Sequence, residues 1–376
     1  MENKRIFLSS PTMHTEEMEY IQLAFDTNWV APLGANVTGL ENDMVAYTGI
    51  KYGAALSAGT AAIHMAFKVL GIKAGDIVFC SSLTFSATAN PITYLGAIPV
   101  FIDSEEETWN MDPKALRKAF EKYPDAKAVI SVNLYGTPAK LDEIAAICKE
   151  HGVPFVEDAA ESLGATYHGK MTGSFGKIGI FSYNGNKIIT TSGGGMMMSD
   201  DESYTKKAIF LSTQAREPAK HYEHKEIGYN YRMSNIVAGI GRGQMKHLDE
   251  HVALKRVIYR QYQEAFADIP EITMNPYLTD SEPNFWLSCM TIDQHSKVTP
   301  TMIEEALELE NIESRPIWKP MHLQPVFSKN DFIQVKEGMS VGEDIFNRGI
   351  CLPSDIKNTP EDQNQIITII RGLFEK

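Results

Sequence analysis

Val153-Pro154-Phe155-Val156-Glu157-Asp158-Ala159-Ala160 and, further on, Ile178-Gly179-Ile180-Phe181-Ser182, followed by Lys187 and Gly193-Gly194-Gly195, are the stretch on which the fold turns. Both apolar runs have the length of short buried strands, roughly four to eight residues with their flanks. The first delivers a carboxylate, Asp158, at its end; the second delivers Ser182 and, five residues later, Lys187. A carboxylate and a lysine at the ends of neighbouring strands suit a pyridoxal phosphate site. The lysine condenses with the aldehyde, and the aspartate pairs with the pyridinium nitrogen. Lysine is a nucleophile only where its amine can be neutral. The ring draws off electrons only while its nitrogen holds a proton, and a buried carboxylate beside it raises that pKa. Spacing alone leaves a plainer reading equally open: a buried Asp at a strand end and a surface Lys in a loop.

Upstream, Ser57-Ala58-Gly59-Thr60 opens a helix with Ile63, Ala66, Phe67 and Leu70 on one side and Gly71 as its stop. The free N–H groups of such a start point at an anion. Alone the motif reads as a simple N-cap; upstream of Asp158 and Lys187 it becomes a phosphate cup. Residues 76–80 read as a strand whose following loop carries Thr84 and Phe85. Strands at 98–102 and 128–132 follow, with helices at 113–122 and 140–151. Alternation of this kind predicts an α/β fold with a mostly parallel sheet covered on both faces, and ligands beyond the strands' carboxyl ends. Gly193-Gly194-Gly195 is not Gly-x-Gly-x-x-Gly, so a close turn beside a ligand is expected there rather than a dinucleotide site.

Before this core, residues 12–26 read as a helix with Met18, Ile21, Gln22 and Phe25 on one face, and 28–39 as a loop. After it, a polar loop from Ser212 to His224 leads to one long connecting helix over 235–268. Strands near 285–292 and helices near 301–309 and 341–348 complete a smaller α+β unit. The expected division is a large domain, 1–245, and a small C-terminal domain, 246–376.

Composition sets outer limits. With 43% apolar and 22% charged residues in 376, the chain is an ordinary globular one with room for a large core. A formal charge of −13 argues against a general nucleic-acid binder but allows an anionic small substrate met by a few local cations. Cys80, Cys148, Cys289 and Cys351 form no Cys-x-x-Cys pair, which predicts reduced thiols rather than disulfides or a metal site. Ile6-Phe7-Leu8 is too short for a signal peptide, and no run approaches the roughly 18 apolar residues of a membrane span. A cytoplasmic protein without nucleic-acid or membrane partners is expected.

Several words together then resemble the DegT-type nucleotide-sugar aminotransferases, enzymes of the fold-type I architecture of pyridoxal phosphate proteins. They are Ser57-Ala58-Gly59-Thr60-Ala61-Ala62, Glu157-Asp158-Ala159-Ala160-Glu161, Phe181-Ser182-Tyr183-Asn184-Gly185-Asn186-Lys187, Gly193-Gly194-Gly195-Met196, Tyr229-Asn230-Tyr231-Arg232-Met233-Ser234 and Trp318-Lys319-Pro320-Met321-His322. They stand in the family's order from about Leu8 to the C-terminus. The resemblance implies Lys187 and Asp158 as catalytic residues. It implies Gly59, Thr60, Ala61, Ser182 and Asn230 around the cofactor phosphate, Phe85 stacked on the ring, and Glu161 near the ring's 3-oxygen, where many relatives have Gln or His. On the substrate side it implies Asn184, Arg216, Tyr229, Lys319 and His322. Arg216, Arg232, Arg315, Lys319 and His322 are the cations expected near a nucleoside diphosphate. Asn230 is expected to reach the phosphate of a neighbouring subunit's cofactor, so that a homodimer shares its sites.

The run from Ser182 to Lys187 is most similar to bacterial enzymes of amino-sugar biosynthesis. These move the amino group of L-glutamate to C4 of a UDP-linked 4-keto-6-deoxy-N-acetylhexosamine. Alternatives are an aminotransferase for 3-keto sugars and a silent sensory protein on the same fold. A sugar 3-dehydratase would carry histidine in place of Lys187. A cysteine desulfurase would need a mobile cysteine, whereas Cys351 sits in an apolar run that reads as core.

Overall fold

In the computed structural model, which describes residues 4–375, eight strands form one central sheet. They are β1 (Tyr52–Leu56), β2 (Ile77–Ser81), β3 (Ile98–Ile102), β4 (Ala128–Val132), β5 (Phe155–Asp158), β6 (Ile178–Ser182), β7 (Gly195–Ser199) and β8 (Phe332–Ile333). Their spatial order is β1-β7-β6-β5-β4-β2-β3-β8. Only β7 runs against the rest: it is antiparallel to β1 and β6, and every other pairing is parallel.

The period-2 alternation of the strands divides their side chains between two cores. Val78, Cys80, Ile130, Val156, Ile178 and Ile180 pack on one face with Met65, Ala66 and Phe67. Phe79, Val129 and Phe155 pack on the other with Leu116, Phe120, Ile144 and Ile147. Burial on both faces explains why these strands read as continuous apolar runs. On the first face lie α3 (Gly59–Val69) and Glu202–Ser212; on the second lie Pro113–Lys122 and Leu141–Glu150. The N-terminal helices α1 (Glu16–Asp26) and α2 (Ala35–Thr48) precede this body, and α4 (Ser86–Tyr94) follows β2.

Toward the C-terminus, Ile272–Met274, Ser288–Ile292, Gly349–Leu352 and Arg315–Pro316 form a four-stranded antiparallel sheet in that order. It packs with Pro300–Leu309 and Pro360–Phe374 around Ile303, Leu307, Ile366 and Ile370. A small third sheet joins Ser281–Glu282 to Thr166–Tyr167 and Lys170–Met171. β8 pairs with β3, and Ser281–Glu282 pairs with Thr166–Tyr167, so two strands from the C-terminal part of the chain cross the expected division at 245/246.

Four boundaries differ from expectation. The first helix begins at Glu16, not residue 12, and Met18 and Phe25 are exposed while Glu17 and Ala24 are its buried positions. The loop expected over 28–39 ends early, because α2 starts at Ala35. Its N-terminal amide of Asn36 donates 2.9 Å to Asn235 Oδ1, a cap supplied from far along the chain. The long connecting helix is two helices, α5 (Asn235–Met245) and α6 (Leu248–Ala265). At the break His247 stacks on His14 with centroids 3.5 Å apart, and its Nε2 lies 3.2 Å from Glu16 Oε2. The strand expected from 285 begins at Ser288, since Phe285 has a left-handed φ of 48° and Asn284 Oδ1 takes the Trp286 amide. Among the described residues no helix is long and apolar enough to cross a membrane.

Candidate active site

At one edge of the sheet β5 ends in Asp158, β6 ends in Ser182, and β1 leads through Ser57 and Ala58 into α3. The register Asp158↔Ile180 sets the two strand ends side by side. Between them lies a cavity of about 330 Å³ whose lining includes Asp158, Glu161, Ser182, Lys187, Phe85 and Thr60. Gly59, Asn184 and the backbone-rich turn at Gly193 and Gly194 also face it.

Asp158 is buried and well held: Thr88 Oγ1 donates 2.7 Å to Oδ2, and the Ala160 amide donates 3.2 Å to Oδ1. Burial pushes its pKa up, and these bonds with the nearby Lys187 charge pull it back. The Nζ of Lys187 lies 4.1 Å from the centroid of the Trp286 ring and 3.8 Å from Glu161 Oε1. Burial lowers the pKa of Lys187, against the pull of Glu161 and Asp158. Glu161 is pushed up to about 7 by burial, although Lys187 opposes the shift. Both directions favour a neutral amine beside a neutral acid, as expected where desolvation outweighs the ion pair. The Tyr135 amide fixes Glu161 by donating 2.6 Å to Oε2. The Tyr135 hydroxyl accepts from the Trp318 amide at 3.0 Å, and Trp318 sits 5.3 Å from Phe85, so the three rings form one wall.

The other end of the cavity suits an anion. A Cβ on Gly59 would lie 3.0 Å from the Ser182 Cβ, and one on Gly195 would lie 2.4 Å from the Ala58 carbonyl carbon. Glycine at both places lets the start of α3 approach the hydroxyl of Ser182. The unpaired N–H groups of the first turn then carry the helix's positive partial charge into the site.

Thus Gly59, Thr60, Phe85, Asp158, Glu161, Ser182, Asn184 and Lys187 come together as the sequence predicts. Ala61 is buried in the first turn of α3 behind the lining. The remaining predicted residues stand outside this cavity. Asn230 is exposed and forms a bridge with Thr213, while Tyr229 packs on His64 and Tyr231. Arg216 lies over the Tyr222 ring, and Lys319 is exposed. His322 Nδ1 is 2.6 Å from Ser82 Oγ, and its ring stacks on Phe332. Burial lowers its pKa to about 4, so it is no cation at neutral pH. Arg232 is bound to Glu41 at 2.7 Å and to the Ala55 carbonyl, and Arg315 pairs with Glu313 at 2.7 Å. Arg232 therefore serves the fold, and none of the five expected cations lines the cavity.

Sequence reasoning missed Thr88, Tyr135 and Trp286. Thr88 stands three residues after Phe85, one helical turn on, which is a signal in hindsight. Tyr135 and Trp286 reach the site from distant loops and carry none. The set as a whole fits pyridoxal phosphate: an amine whose pKa burial lowers, a buried carboxylate, an exposed aromatic face at Phe85 and a glycine-lined anion cradle share one cavity.

Comparison with known proteins agrees with this chemistry. The model of the DegT/DnrJ/EryC1/StrS aminotransferase family matches residues 11–371. EpsN of Bacillus subtilis (strain 168), provisionally named a pyridoxal phosphate-dependent aminotransferase, is 50% identical over 376 residues, 99% of this chain and 96% of its own. A GDP-perosamine synthase of Caulobacter vibrioides is 34% identical, covering 97% of each chain. Among solved structures, a DegT DnrJ EryC1 StrS aminotransferase from Brucella abortus superposes with a TM-score of 0.88 at 27% identity, covering 96% of both chains.

Proposed function

Because the chain belongs to the DegT/DnrJ/EryC1/StrS aminotransferase family, and so is a pyridoxal phosphate-dependent sugar aminotransferase, we propose that it moves an amino group from L-glutamate to C4 of a UDP-linked 4-keto-6-deoxy-N-acetylhexosamine. The observation that carries the reaction class is the meeting of Lys187 and Asp158 in one cavity at the ends of neighbouring strands. The similarity of the run from Ser182 to Lys187 to C4 aminotransferases supports the choice of carbon and nucleotide.

Bound pyridoxal phosphate supplies the aldehyde that carries the amino group and the ring that draws off electrons. Asp158, held by Thr88 and Ala160, keeps the proton on the ring nitrogen. Ser182 and the first turn of α3, at Gly59 and Thr60, take the phosphate. The Nζ of Lys187, which burial biases toward the neutral form, takes a proton from the α-carbon of L-glutamate. In the second half it delivers a proton to C4 of the sugar. Phe85, Trp318 and Trp286 keep water from the reacting carbons.

In this reading the working unit is a homodimer in which Asn230 reaches the partner's phosphate site. Support comes from its exposure outside the cavity of its own chain, and from the absence there of Arg216, Lys319 and His322. A cytoplasmic location follows the four free, buried cysteines. Three relatives bear the name GDP-perosamine synthase, which favours a GDP-linked sugar as the second reading.

The assay is amine transfer from L-glutamate to a panel of UDP-, GDP- and dTDP-linked 4-keto and 3-keto sugars. Preference for the UDP-linked N-acetyl 4-keto sugar is expected. A GDP-linked preference would replace the nucleotide, and a 3-keto preference would replace the carbon. Turnover confined to amino acid and keto acid pairs would remove the sugar reading.

A further inference from the structure

Lys255, on α6, is buried to 3% exposure and lines no part of the cavity around Asp158. Its three hydrogens are all used, and none goes to a carboxylate: Nζ donates to the Trp286 carbonyl at 3.0 Å, the Ser354 carbonyl at 2.5 Å and Ser9 Oγ at 3.1 Å. Burial lowers its pKa to about 7, and the nearby Asp355 only partly offsets this. An ammonium placed among neutral acceptors is an expensive way to join segments, which suggests a use beyond packing.

The bonds around it close a ring. Ser9 Oγ donates 3.1 Å to the carbonyl of Asn186, the residue before Lys187. The Trp286 indole Nε1 donates 2.5 Å to the same carbonyl. The Trp286 carbonyl returns to Lys255, and the Trp286 amide is held at 2.8 Å by Asn284. The indole so fixed is the ring 4.1 Å from Lys187 Nζ. We propose that Lys255 is a positioning residue: through Trp286 and the Ser9–Asn186 link it holds the indole against the amine of Lys187 and keeps water from that face. The proposal rests on the reading of Lys187 as the reacting amine.

The test uses the holoenzyme. Lys255→Met, Trp286→Leu and the double variant are titrated by the pH dependence of the visible band that reports the bond between Lys187 and the cofactor. Water let in by a displaced indole stabilises the protonated form, so Lys255→Met should raise the midpoint by roughly half a pH unit or more. It should lower kcat about tenfold while leaving KM for L-glutamate within about twofold. Trp286→Leu should do the same, and the double variant should add little, because both changes act through one ring. Loss of the Lys255 charge acting by itself would instead add to the Trp286 effect. If Lys255→Met does not fold, Lys255→Gln, which keeps two donors, takes its place with a smaller shift in the same direction. A wild-type midpoint in the folded variant, or additive shifts, overturns the proposal. Borohydride reduction of the wild-type enzyme and peptide mapping read the premise separately: a pyridoxyl group on any lysine but Lys187 removes the premise, and one on Lys187 leaves the midpoints to decide.

Discussion

Glu161 shows how one buried side chain departs from what its residue type suggests. In the sequence it is the last letter of a matching word; in the fold it is 3% exposed, bonded to the Tyr135 amide and 3.8 Å from Lys187. Its pKa rises from 4.5 to about 7 because burial outweighs the attraction of Lys187. Between those values the folded chain holds a proton that the unfolded chain releases. The stabilising contribution is therefore complete below about pH 4.5 and is lost as pH rises through 7. In the cofactor-free protein, Glu161→Gln should flatten the fall in stability between pH 5 and 8, a difference of up to about 3 kcal/mol, read from denaturant midpoints. A wild-type and a variant curve that run parallel would mean that Glu161 is ionised throughout. Identity and position were legible for the residues whose words lie on the strand ends, Asp158, Ser182 and Lys187. The groups packed around them were not, because Thr88 on α4, the Tyr135 amide and the Trp286 ring reach Asp158, Glu161 and Lys187 only by tertiary packing.

Elements were readable where their signals are local. The helices Pro113–Lys122 and Pro300–Leu309 open on their own caps, Asp112 and Thr299, with proline in the first turn. The start of α2 is capped by Asn235 instead, and the break between α5 and α6 is set by His247 against His14 and Glu16, so neither has a local mark. The glycine run was readable as a close turn, and its geometry makes that demanding. A methyl on Gly195 would stand 2.4 Å from the Ala58 carbonyl carbon and 2.5 Å from the Gly59 nitrogen, both backbone atoms that cannot swing aside. Gly195→Ala must push β7 away from the start of α3. Thermal or denaturant unfolding should register a loss of about 1–3 kcal/mol. The same shift opens the phosphate cradle, so cofactor dissociation, followed by loss of the visible band on dilution, should become faster. Unchanged stability together with unchanged cofactor retention would show that the first turn of α3 is not tightly placed.

At the scale of the molecule, the sequence reading set Asn230 apart for a neighbouring subunit and expected Arg216 and Lys319 on the substrate side. Asn230, Arg216 and Lys319 stand outside the chain's own cavity, and the face of α1 that carries Met18 and Phe25, expected to be a packing face, is exposed with Trp29 and Leu33 beyond it. Met18 is 62% exposed and Phe25 58%, an unusual use of large apolar side chains that a twofold dimer would cover. If Asn230 serves the partner's phosphate, each of the two sites takes Lys187 from one chain and Asn230 from the other. A dimer of one Lys187→Ala chain and one Asn230→Ala chain then holds one site with both defects and one site with neither. Random exchange makes about half of all dimers mixed, and half the sites in those are intact. Two preparations that are each nearly inactive should therefore recover about a quarter of wild-type activity on mixing. Native mass spectrometry establishes that the mixed dimers have formed. Were both residues to act within one chain, every site would carry one defect or the other, and mixed dimers would be no more active than their parents.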